Sequence, residues 1–169
     1  MAAVDENATQ LPMPNATTVP YPWQHRPLTV AVSMHGGMNE DLVRDQIEHT
    51  LTYYESGADG WAPENLSYEL IENESAADIT IQVYEYSYNT DAVDGDGSYG
   101  YVYGHDPDRD GALEYYTNAT IAVAGIDERA TGWHVGFWLA QSLGATDEND
   151  VPPPFVHADY EDRRSEWWE

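Results

Sequence analysis

Apolar positions along the chain come in two rhythms, and the rhythms alternate. Leu28-Thr29-Val30-Ala31-Val32 is a nearly continuous apolar run rich in β-branched residues, which predicts a buried strand. Gly36-Gly37 predicts the turn after it. From Asn39 to Tyr54 the apolar residues fall at Leu42, Val43, Ile47, Leu51 and Tyr54, the spacing of one helix face. Asn39 suits the N-cap, Glu40 and Asp41 suit the positive end of the helix dipole, and Gly57 suits its stop. Leu66, Tyr68 and Leu70 then alternate with polar residues, as do the residues from Ile79 to Tyr84, and both stretches predict strands. A short strand is predicted from Tyr99 to Tyr103 and another from Ala119 to Ala124. A second helix is predicted from Glu128 to Leu143, capped by Asp127 and ended by Gly144.

This order predicts one α+β domain with a mixed, mostly parallel sheet and two main helices, over residues 27–150. Residues 1–26, with Pro12, Pro14, Pro20 and Pro22, read as a flexible lead. Residues 151–169 read as a tail that opens on Pro152-Pro153-Pro154, with a short helix predicted from His157 to Glu169. Tyr84, Tyr86, Tyr88, Tyr99, Tyr101 and Tyr103 alternate on two segments that flank an Asp-Gly loop. That pattern predicts a hairpin with one tyrosine face, packed on the domain or open as a stacking surface for glycan or protein.

Charge changes how every carboxylate is read. The chain has 31 acidic residues against 6 basic ones, for a formal net charge of −25. All six basic residues are Arg, and Lys is absent. Self-repulsion on this scale opposes compaction, and it weakens as the Debye length falls to about 3 Å at 1 M salt. A hydrophobic fraction of 41%, with 13 Tyr and 6 Trp, supplies a core and argues against a disordered acidic chain. The expectation is a protein adapted to brine, as in halophilic archaea. With so many acids, paired carboxylates identify no site.

Several classes drop out. A phosphate backbone would be repelled and there is no basic patch, so nucleic acid is not an expected partner. The absence of Cys excludes disulfides and thiolate metal sites. No apolar run is long enough to span a bilayer, so no transmembrane segment is expected. Five of the eight Asn residues, Asn7, Asn15, Asn65, Asn73 and Asn118, begin Asn-x-Ser/Thr acceptor triplets. Ser and Thr make up 20 of 169 residues, so chance placement gives about one such triplet. The excess points to an extracellular or cell-surface protein. No signal-peptide pattern follows Met1, so the export reading expects a mature or trimmed chain.

Asp106-Pro107-Asp108-Arg109-Asp110-Gly111 spells the start of an EF-hand-type loop, which makes Asp106, Asp108 and Asp110 candidate calcium ligands. The twelfth position holds Thr117 where such a loop needs Glu, and a solvated turn accounts for the segment equally well.

The order of elements resembles zincin metalloproteases of the matrixin (metzincin) type. Pro27 to Val32, Leu51-Thr52-Tyr53-Tyr54-Glu55 and Ala77-Asp78-Ile79-Thr80-Ile81 are similar to stretches of haloarchaeal matrixin-like proteins. The segment Thr131 to Gly144 sits where that family carries its zinc helix, His-Glu-x-x-His-x-x-Gly-x-x-His. With Gly136 matched to the family's common Gly, the two helix His positions hold Trp133 and Phe137. The general-base position then holds His134 and the third-ligand position Leu143. With His134 taken as the first ligand instead, the next two positions hold Trp138 and Gly144 and the base position holds Val135. Trp and Phe rings offer zinc no lone pair, so zinc is not expected in either register.

The resemblance therefore implies a zincin-like module without catalysis, in a binding or structural role at a cell surface. Two alternatives stand beside it: a metal-dependent, zinc-metallopeptidase-like hydrolase with a non-standard site drawing on His134 with His105 or His157, and a subunit of a surface filament or viral particle. The charge reading carries its own test. Circular dichroism after dialysis to 50 mM salt should show loss of folded signal. An unchanged spectrum would refute adaptation to brine.

Overall fold

In a computed structural model of the protein, residues 22–85, 97–105, 115–126, 128–145, 147 and 150–156 are described. The elements are β1 (Leu28–His35), α1 (Glu40–Glu55), β2 (Tyr68–Leu70), β3 (Ile79–Tyr84), β4 (Gly97–His105), β5 (Tyr115–Ala124) and α2 (Thr131–Gln141). The five strands form one sheet in the order β2-β1-β3-β5-β4. The pairs β1–β2, β1–β3 and β3–β5 are parallel, and β4 joins β5 antiparallel. The expected mixed, mostly parallel sheet with two main helices is what the chain forms. Among the described residues, no helix is long and apolar enough to cross a membrane.

Alternation decides which face is the core. Val30, Ile79, Ile81, Ile121 and Val123 point to one side, where Val43, Ile47, Leu51 and Tyr54 of α1 and Val135 and Leu139 of α2 meet them. Asn39 caps α1 as expected, its side chain accepting from the Leu42 N–H, and Gly57 follows the C-cap at φ 102. On the opposite face a small cluster holds Ala122 and Ala124 under Tyr84 and Tyr99.

Three expectations need correction. Tyr84 and Tyr99–Tyr103 do not pair as a hairpin; β4 pairs with β5. β3 presents Ile79, Ile81 and Val83 to the core and so takes a central place between parallel strands, whereas β4 has only Val102 to bury and goes to the edge. Tyr86 and Tyr88 lie outside the described residues.

The second helix is shorter than predicted. Glu128–Ala130 is a 3-10 turn, and α2 begins at Thr131 without a side-chain cap. Asp127 lies outside the described residues.

The folded unit also reaches past both predicted ends. Trp23 is fully buried, donates its indole N–H to the Ser142 carbonyl (2.8 Å) and meets Tyr116 edge-on. Phe155, in a 3-10 turn at Pro153–Phe155, is buried in the core. Residues 157–169, where a terminal helix was expected, are not among those described.

The helices approach closely because α2 has no side chain where they cross. Gln46, Thr50 and Tyr54 are spaced four apart on α1, and all are fully buried. They face Gly132 and Gly136, spaced four apart on α2. Thr50 donates to the Gly132 carbonyl (2.9 Å), Gln46 accepts from the Gly132 N–H (3.3 Å), and Tyr54 donates to the Gly136 carbonyl (2.6 Å). A Cβ on Gly132 would lie 2.9 Å from the Gln46 side chain, and one on Gly136 would come within 2.2–2.3 Å of Phe155 ring carbons. Burial pushes the Tyr54 phenol well above its ordinary pKa, with Tyr68 and Tyr53 adding, so it stays the neutral donor this bond requires.

Candidate functional site

The second helix carries the positions singled out from sequence. Trp133 and Phe137, one turn apart, stack with ring centroids 5.6 Å apart at 20°. Trp133 is buried and donates its indole N–H to the Pro154 carbonyl (3.1 Å). Phe155 meets Trp133 at 66° and stacks on Tyr54 at 5°, so this end of α2 is packed with rings. An i, i+4 pair on one helix face is the geometry that would present two imidazoles to a metal; here the same geometry builds a stacked aromatic pair.

His134 turns to the sheet. Its Nδ1 lies 2.6 Å from Ser98 Oγ on β4, and the Trp138 indole N–H donates to the same oxygen (2.9 Å). Gly100, next along that face of β4, leaves room for Trp138 and Gln141; a Cβ there would come within 2.7–2.8 Å of their side chains. Ser98 thus fastens the edge strand to α2. Ser98 and His134 have the contact of a nucleophile and its base. The Trp138 N–H, however, occupies one of the two lone pairs of that oxygen and lowers its nucleophilicity. Neither His105 nor His157 is shown to join His134: His105 stacks on Tyr115, and His157 lies outside the described residues. Ser98 and Trp138 had no local signal as partners, since the pairing depends on the register of β4.

Among the described residues, no group of three or more His, Asp or Glu side chains is placed to hold a metal ion. Asp106, Asp108 and Asp110, the candidate calcium ligands, lie outside those residues, as do Asn7 and Asn15. Asn65, Asn73 and Asn118 are all exposed.

A cleft of about 450 Å3 opens beside the carboxyl end of β3, lined by Met38, Leu42, Glu85, Glu128, Arg129 and Thr131 among others. Ligands of open parallel sheets commonly bind at this end. Here the chain's own groups fill the anion-binding role. Glu85 accepts from the Gly37 N–H, Glu128 from the Asn39 N–H (3.0 Å) and Asn39 from the Leu42 N–H (3.2 Å).

Comparison with protein-family models finds none that matches the chain, and no curated protein matches it.

Replacing Ser98 with Ala removes the hydroxyl that both rings share. Denaturant titration in high salt should show a loss of about 1 kcal/mol, the usual worth of such a bond. Unchanged stability would mean that this contact does not fasten β4 to α2.

Proposed function

We propose that the chain is a non-catalytic, zincin-like module, displayed or secreted at the surface of a halophilic archaeon in a binding or structural role. One observation carries the reading: the stacked pair of Trp133 and Phe137 stands where the resemblance puts two zinc-binding imidazoles. Neither ring has a lone pair for zinc, and Phe155 packs against Trp133. The order of strand, long helix, mostly parallel sheet and second helix supports the family resemblance, and the net charge of −25 without Lys supports the brine setting. Three exposed acceptor Asn residues support export.

A hydrolase with a non-standard site is the second reading, favoured by the 2.6 Å contact between Ser98 and His134. It ranks lower because the Trp138 N–H also donates to that oxygen.

The experiment is elemental analysis of protein purified in high salt without chelator, with melting followed before and after EDTA. The expected result is far less than one zinc per chain and no change in melting temperature. One zinc per chain, with melting lowered by chelation, would overturn the proposal.

A further inference from the structure

We propose that Asn118 carries an N-linked glycan whose first sugars lie across the rings of Tyr101 and Tyr103. The proposal rests on the surface reading above. Extended backbone puts alternate side chains of β5 on one face. Asn118 and Thr120, the two residues of the triplet that a transferase reads, therefore share the face away from the helices, and Ala119 between them is buried. Across the sheet Asn118 pairs with Tyr103, and Thr120 pairs with Tyr101. Directly paired side chains start about 4.5–5.5 Å apart at Cβ. A sugar on Asn118 Nδ2 therefore begins beside the Tyr103 ring.

The two rings are the most exposed large aromatics among the described residues, at 47% for Tyr101 and 53% for Tyr103. Their centroids are 6.3 Å apart at a 40° tilt, which makes a shallow apolar platform with hydroxyls at its rim. Amphipathic rings of this kind suit the C–H faces of pyranoses.

Charge points the same way. On this face β1, β3, β5 and β4 contribute no Asp, Glu, Lys or Arg, and the acid Glu69 lies on β2, at the opposite edge of the sheet from Tyr101 and Tyr103. By contrast, α1 alone exposes Glu40, Asp41, Asp45, Glu48 and Glu55. In a chain with 31 acids, a sheet face hydrated by amides, hydroxyls and phenols fits a neutral sugar. The other described triplets lack this setting. Asn73 caps the 3-10 turn at Glu74–Ala76 and Asn65 sits in a turn at φ 62, neither on a strand beside exposed tyrosines.

In the transfer, Asn118 Nδ2 displaces phosphate from the anomeric carbon of a polyprenyl-phosphate-linked oligosaccharide. The C1–O bond breaks, the N–C1 bond forms, the amide loses one proton and the lipid phosphate leaves.

The test directs the full chain for export from a halophilic archaeal host, so that every triplet meets the transferase, and maps glycopeptides by mass spectrometry. A glycan on Asn118 is expected. Unmodified Asn118 in molecules glycosylated at Asn65 or Asn73 overturns the proposal and leaves the surface reading standing. No glycan at any triplet overturns both. Stacking is read by melting against unglycosylated chain from a bacterial host, refolded in the same salt. The glycan should raise the melting temperature by about 2–4 °C, and the rise should vanish in a Tyr101→Ala/Tyr103→Ala variant. No rise, or a full rise in the variant, overturns the stacking.

Discussion

The contact on which the rest of the structure depends is the crossing of α1 and α2 at Gly132 and Gly136. Two glycines four residues apart remove the side chains that would hold the helices apart. The Thr50 and Tyr54 hydroxyls then reach main-chain carbonyls of the other helix. Such carbonyls already accept within α2, so the added bonds use their second lone pairs. Each bond contributes about 0.5–1.5 kcal/mol, and burial raises the cost of breaking it. The same close approach seats Phe155 against Gly136 and stacks it on Tyr54. Trp133 and Phe137 complete that packing. Helix α2 is thus tied to its neighbours by rings and two hydroxyls.

With both helices on one side, the sheet has two different faces. One supplies the aliphatic core. Apart from Glu69 on the edge strand β2, the other is built of small residues, polar groups and tyrosines without formal charge. The acidic surface of the chain makes that neutral face stand apart, and it turns the carboxylate excess from a clue about metals into a background. Against this background the ring-packed second helix and the tyrosine face are the informative features.

Much of this was legible in the sequence where a period was strong. β1, α1, β3 and the core half of β5 follow from apolar spacing, and Asn39 and Gly57 mark the ends of α1 by their own chemistry. The position of Trp133, His134 and Phe137 on a buried helix was legible too. What they touch was not. Trp23 and Phe155 reach the core from segments rich in Pro, where no period announces burial. Pairing of β4 with β5 rather than β3 depends on how many apolar residues each strand can offer the core, a comparison across the whole sheet. Ser98 became a partner of His134 only through that pairing. The 3-10 turn at Glu128–Ala130 ahead of α2 likewise goes with a tertiary contact, since Glu128 accepts from the Asn39 N–H ahead of α1.

Close packing at Gly136 holds α2 in place. The most direct measurement is the unfolding free energy of Gly136→Ala against the parent chain in high salt. Ala in a helix interior ordinarily stabilises by about 0.8–1.0 kcal/mol relative to Gly. Overpacking against the Phe155 ring reverses the sign, and a loss of roughly 1–3 kcal/mol is predicted. A variant as stable as the parent, or more so, would contradict the account.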